Sequence, residues 1–153
     1  MKGLLLFGFF FISLSSCGQV EIRKNSIMVE TNLIMMGSVS YDRYVPINEK
    51  TALIFGGEYI MGMGFGWGAH WLVPEVGVLA FGPKHFLEAG IQYGFDISPY
   101  NEDVEIYGRE HSLGARLAYR FQTNGGFNIR ATANGYFSID PIFFPTLGIG
   151  YSF

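Results

Sequence analysis

The chain has 153 residues, enough for one domain, and combines 49% hydrophobic residues, 17% aromatics and 21 glycines with only 15% charged residues, against the roughly 25% charged residues common in soluble domains. A net charge of −3 with no basic run argues against a nucleic-acid partner, and the single cysteine, Cys17, excludes an internal disulfide or a cysteine-built metal cluster. Mean hydropathy is +0.24, yet beyond the first fifteen residues no apolar run approaches the ~20 residues of a membrane helix. The apolar residues are therefore dispersed, as they are in strands with one apolar face.

The first element is an export signal. In MKGLLLFGFFFISLSSC, Lys2 supplies a positive start, Leu4 to Ile12 an apolar segment too short to span, and Ser13, Ser15 and Ser16 the small residues that precede cleavage. The boundaries read as a signal peptide over 1–18 and a barrel domain over 19–153. Leu14-Ser15-Ser16-Cys17 resembles the lipobox of bacterial lipoproteins, which makes Cys17 a candidate lipidation site. Ordinary cleavage after Cys17 or Gly18 is the competing reading.

The mature chain then alternates. Ile27 to Tyr41 sets Ile27, Val29, Leu33, Val39 and Tyr41 against Glu30, Asn32, Ser38 and Ser40. Thr51 to Met61 sets Leu53, Phe55, Tyr59 and Met61 against Gly56 and Glu58. Leu72 to Ala80 sets Leu72, Val76, Val78 and Ala80 against Glu75 and Gly77, with Pro74 predicting a bulge or kink. From His85 to Ile97, Leu87, Ala89, Ile91, Tyr93 and Phe95 alternate with Glu88, Gly90, Gln92 and Gly94. From His111 to Gln122, Leu113, Ala115, Leu117 and Tyr119 alternate with Ser112, Gly114, Arg116 and Arg120. Phe127 to Phe137 and Pro145 to Phe153 repeat the pattern. No helix keeps period two for this long, and ten-residue strands of this kind suit a transmembrane barrel.

Gly82-Pro83-Lys84 and Thr123-Asn124-Gly125-Gly126 predict tight turns, Asn-Gly being a strong hairpin signal. Longer connections fall at Gly62 to Gly68, Ser98 to Arg109 and Ser138 to Phe144. Both tight turns share a rim with Phe153, and the longer connections take the other. The fold class is all-β, a single up-and-down antiparallel barrel of about eight strands after the signal peptide. Seven strands are countable, whereas closed single-chain barrels have an even number. Either a short strand from Gln19 to Asn25 completes the set, or one segment conceals two strands.

The ending GIGYSF, with PEVGVLAFGPKHFLEAGIQY, LGARLAYRFQTNGGFNIRATA and PTLGIGYSF, resembles small Gram-negative outer-membrane β-barrel proteins of the OmpA/OmpX size class over most of the chain after Ser26. The resemblance implies an outer-membrane location, with membrane lipid and the barrel-assembly machinery as partners. It also implies that Tyr151 and Phe153, in the terminal strand read by that machinery, serve as an assembly signal.

An eight-stranded barrel has an interior that side chains fill. The inward-facing Glu30, Glu58, Glu75 and Glu88 and the inward-facing Arg116, Arg120 and Arg130 then predict a lumenal network of ion pairs, since charges removed from water must pair. A plugged barrel of structural or interaction type follows, with a narrow pore or lipid conduit as the alternative. A soluble, lipid-anchored periplasmic barrel that binds a hydrophobic ligand would show the same alternation turned inside out. Inward Gly90, Gly94, Gly114, Gly148 and Gly150, which ease tight curvature, favour the membrane arrangement.

Two aromatic girdles are expected, with Tyr59, Trp67, Trp71, Phe95, Tyr100, Tyr107, Phe137, Phe143 and Phe144 on the loop rim. Tyr41, Tyr44, Phe81, Tyr119, Phe121, Phe127, Tyr151 and Phe153 are expected on the other.

No cofactor, metal site or reaction is indicated. His70, His85 and His111 lack ligand spacing, and GMGFGWG over 62–68 is followed by neither a helix nor Lys-Ser/Thr. Asp96, Ser98, Asp103, His111 and Ser112 are the rim residues an outer-membrane acyltransferase or protease would draw on. The acidic stretch Asn101 to Glu105 reads as a solvated loop.

Overall fold

The computed structural model describes residues 23–32, 36–62, 69–82, 84–98, 111–137 and 142–153. Alternation over each apolar-faced segment produces eight strands: β1 (Asn25–Thr31), β2 (Met36–Asn48), β3 (Thr51–Gly62), β4 (Ala69–Phe81), β5 (His85–Asp96), β6 (His111–Gln122), β7 (Phe127–Phe137) and β8 (Ile142–Ser152). Each pairs antiparallel with its sequence neighbours, and β1 pairs with β8, so the sheet closes and leaves no free edge.

The closure is staggered. Following paired residues from Ser26 through Asp42, Gly56, Glu75, Gln92, Gly114 and Tyr136 ends on Ile142, whereas Ser26 itself pairs with Ser152, ten residues further along β8. Such an offset accompanies strands tilted by roughly 35–45° from the barrel axis. The links 49–50, 82–84 and 123–126 lie on the rim where β1 begins and β8 ends, here called the terminal rim. At the opposite rim, here called the loop rim, β1, β3, β5 and β7 end and β2, β4, β6 and β8 begin.

The eighth strand comes from the segment that reads as one between Ile27 and Tyr41. It is two strands, paired Ile27↔Tyr41 through Thr31↔Gly37. Because this pairing joins odd residues to odd residues, both strands send the same parity outward, and the alternation continues across the link as if no turn intervened. Gln19 to Ile22, most of the stretch expected to supply the missing strand, and the signal segment with Cys17 lie outside the described residues.

One local expectation is corrected. Pro74 neither bulges nor shifts the ladder: the β4–β5 pairing is Leu72↔Phe95 before it and Glu75↔Gln92 after it, the same register. Proline simply contributes no N–H there. The register shift that does occur lies between Pro46 and Asn48, beside the β2–β3 turn. The tight β6–β7 hairpin turns on Gly126, which adopts a positive φ of +96°. The Gly126 N–H donates to Thr123 O at 3.0 Å and the Thr123 N–H to Phe127 O at 2.8 Å, the pattern of a three-residue loop whose last residue is left-handed.

The strand faces are sorted by polarity with the apolar side out. Leu117, Ile149 and Ile91 are 61%, 59% and 66% exposed, while Arg116 and Arg120 on the alternate positions are 3% and 1% exposed. This is the reverse of a soluble barrel.

Candidate functional site

The lumen is built in three layers. Toward the terminal rim, Tyr44, Ala52, Ile54, Leu79 and Phe86 form an apolar layer. Toward the loop rim, Ile60, Val73 and Tyr136 form a second, against which Met36, Trp71 and Phe144 pack. Between them lie the charges, from β1, β2, β4, β5, β6 and β7.

Arg130, fully buried on β7, is the hub. Its Nη2 donates to Glu30 in a short ion pair and to Ser40 Oγ at 2.8 Å, and its Nη1 donates to Asp42 Oδ2 at 2.7 Å and Glu88 Oε2 at 3.3 Å. The second oxygen of Glu30 accepts from Thr132 and Thr146 at 3.1 and 2.8 Å. Arg116 Nη2 lies 2.7 Å from Glu75 Oε1 and 3.4 Å from Glu88 Oε2, and Gln92 donates to the other oxygen of Glu75 at 3.1 Å. Arg120 Nε lies 3.1 Å from Glu88 Oε1. Its guanidinium is 4.6 Å above the Tyr44 ring and 4.9 Å above the Phe86 ring, and its Nη1 donates to Tyr44 Oη at 2.5 Å. Tyr44 in turn donates to Asp42 Oδ2 at 3.3 Å. Glu88 thus touches all three arginines.

Space for the carboxylates comes from glycine. A Cβ at Gly148 would run into the Glu30 side chain, and one at Gly90 would sit 2.5 Å from Glu75 Oε1. On these inward positions any side chain would displace an acid from its arginine.

Six of the seven sequence-predicted lumenal residues, Glu30, Glu75, Glu88, Arg116, Arg120 and Arg130, meet in this network. Glu58 does not. It is inward and buried, but it lies two residues nearer the loop rim than Gly56, the position opposite Asp42, and it makes no ion pair with an arginine among the described residues. Sequence reasoning missed Asp42 and Tyr44. Alternation does extend past Tyr41, but ending the strand there left Asp42 off the polar face and assigned Tyr44 to an aromatic girdle.

Trp71 and Phe144, also expected in a girdle, face inward as part of the loop-side layer, Phe144 stacking on Tyr136 with ring centroids 5.9 Å apart. Tyr59, Phe95, Phe137 and Phe143 remain outside near the loop rim, and Tyr41, Tyr119, Phe121, Phe127, Tyr151 and Phe153 outside near the terminal rim. Trp67, Tyr100 and Tyr107 lie outside the described residues, as does the side chain of Phe81.

The three histidines join these girdles. His70 Nδ1 lies 2.5 Å from Tyr59 Oη, His85 makes a short hydrogen bond to Tyr119, and His111 stacks on Tyr93 and meets Phe95 edge to face. No group of three or more acidic or histidine side chains among the described residues is arranged to hold a metal. Of the acyltransferase or protease candidates, His111 is exposed outside while Ser112, the next residue on the strand, is buried inside, so the two cannot act together. Ser98 donates its hydroxyl to Asp96 at 2.5 Å. Asp103 and the acidic stretch lie outside the described residues.

Neither a known protein family nor a curated protein matches the sequence. Among solved structures, the barrel is similar to the N-terminal β-barrel domain of Pseudomonas aeruginosa OprF, with a TM-score of 0.59 and 10% identity over 84% of this chain and 95% of that one. It is also similar to the Yersinia pestis outer membrane protein Ail, whose backbone structure was determined in a phospholipid bilayer nanodisc, with a TM-score of 0.55 and 15% identity over 86% of this chain and all of that one. The chain has the fold of small outer-membrane β-barrels. At these identities the likeness is one of fold, carried by strand number, closure and alternation.

Proposed function

We propose that the protein is an integral outer-membrane β-barrel of structural or interaction type. Its lumen is closed by side chains, and its partners are met at the loop rim. The observation that carries this reading is the pairing of opposites in the wall: outward positions expose Leu117, Ile149 and Ile91, while the inward positions bury Arg116, Arg120 and Arg130 among carboxylates. Water would gain nothing from such an exterior, whereas hydrocarbon matches it and leaves the paired charges inside. The terminal rim then faces the periplasm, as short turns do in such barrels. The same arrangement counts against a soluble ligand-binding barrel, which needs its aliphatic faces inside.

Closure of the lumen is supported by the layering, because two apolar layers flank a charge network whose members are 5% exposed or less. A transport path would have to break ion pairs that cost several kcal/mol to leave unpartnered. Tyr151 and Phe153, outward at the end of β8, suit a role as the assembly signal, and Cys17 retains its role as the candidate lipid attachment point.

The test is cell fractionation with heat-modifiability on a gel, for wild type and Cys17→Ala, together with planar-bilayer recordings. Outer-membrane fractionation of both proteins, a heat-dependent mobility shift and no steady conductance are expected. Release of Cys17→Ala into the soluble fraction would overturn the integral-barrel reading, and sustained wild-type conductance would overturn the plug.

A further inference from the structure

Among the described residues, positive charge outside the lumen gathers at the terminal rim. The described residues of the terminal rim carry Arg23, Lys24, Arg43, Lys50 and Lys84 against a single acidic side chain outside the lumen, Glu49. No terminal-rim cation makes an ion pair among the described residues, where every such pair is lumenal.

Arg43 adds an observation of a different kind. Among the described residues it is the sole Asp, Glu, Lys or Arg at an outward strand position. It stands on β2 between Tyr41 and Val45, 44% and 41% exposed, and opposite Phe55, 45% exposed. A charge set in an otherwise apolar outer wall needs a counter-charge at its own depth, or must reach along its stem to the interface. Lys24 stands next to it, since the Tyr44 N–H donates to Lys24 O at 2.8 Å. Lys50 and Lys84 sit in the β2–β3 and β4–β5 turns. Arg23 is already engaged, donating to Ser152 O and Asn124 O at 3.0 Å each.

We propose that Arg43, Lys24, Lys50 and Lys84 form a phosphate-binding collar that gathers anionic phospholipid headgroups around the terminal rim. Lys24, Lys50 and Lys84 lie just beyond an apolar, aromatic-edged wall, where a bilayer places its phosphates, while Arg43 stands within that wall, from which its long stem can reach the same level, and the sign of all four matches an anionic headgroup. This inference rests on the membrane reading above and adds to it a lipid class and the residues that select it.

The test is electron paramagnetic resonance of spin-labelled phosphatidylglycerol and phosphatidylcholine in phosphatidylcholine vesicles containing the refolded protein. Comparison is between wild type, Arg43→Gln/Lys24→Gln, and the variant with all four collar residues changed to Gln. Each cation near the surface is worth up to roughly fivefold in attraction. Phosphatidylglycerol is therefore expected at the wild-type barrel surface about threefold or more over phosphatidylcholine, falling in the double variant and approaching equality in the quadruple. Added salt should erode the wild-type preference, a measurement that needs no variant to fold. Equal occupancy of the two lipids at the wild-type surface, or a preference retained in a folded quadruple variant, would overturn the collar while leaving the membrane reading intact. Absence of any immobilised lipid and of a heat-shifted species would sink both. Retention on purified peptidoglycan that depends on the four cations, with no lipid preference, would reassign the collar to that polymer.

Discussion

Arg120 and Arg130 are direct cross-strand neighbours on the β6–β7 ladder, both pointing into the lumen and both about 1% exposed or less. Like charges so placed destabilise a sheet unless something intervenes. Glu88 intervenes, with one oxygen 3.1 Å from Arg120 Nε and the other 3.3 Å from Arg130 Nη1.

Glu88→Gln should therefore be among the costliest single substitutions in the barrel, on the order of 3–5 kcal/mol, the range for stripping one partner from a buried ion pair. Glu58→Gln provides the contrast. Among the described residues Glu58 has no arginine ion-pair partner, so neutralising it should cost less than about 1 kcal/mol or stabilise. Urea unfolding in lipid vesicles measures both, and similar losses for the two would contradict the network described.

Leu117→Arg tests what the outer wall touches. In a bilayer a mid-wall arginine costs roughly 2–4 kcal/mol, whereas at a water-exposed position it would cost almost nothing. The variant is expected to fold less stably in vesicles, and unchanged stability there would show that Leu117 does not meet hydrocarbon.

The β6–β7 turn offers an internal control. Gly126 has φ of +96°, and a Cβ there would strike Ser152 O and lie 2.9 Å from Arg23 Nη1, whereas Gly125 has only a 3.9 Å contact to Thr123. Gly126→Ala should lose about 1–3 kcal/mol, from left-handed strain and crowding together. Gly125→Ala should be near neutral in the same thermal or urea melts.

Deleting Phe153 should separate assembly from stability. Its N–H and carbonyl pair with Asn25 at 2.9 and 3.0 Å, beyond the last β8 residue, so refolding in detergent should change little. Export-dependent assembly in cells should slow markedly, read as accumulation of unfolded, heat-unshifted protein. Equal impairment in detergent would assign Phe153 a purely structural role.

Much of the barrel was legible before any coordinates. A strand's side chains alternate because of its pleat, so the residue order alone put Leu117 and Arg116, like Ala89 and Glu88, on opposite faces. It did not determine which face was inside, since an inverted barrel reads identically. It did not reveal that Ile27 to Tyr41 holds a turn, because the paired residues have the same parity, nor that Asp42 and Tyr44 complete the network.

Ion partners were the work of tertiary structure alone. Asp42 and Arg130 are 88 residues apart, and no periodicity relates them. They meet because closing eight strands with a ten-residue stagger rotates β2 and β7 until their inward positions share one cross-section of a narrow lumen. Local pleating dictated the sides of each strand; ring closure and register decided which buried charges lie within reach of one another.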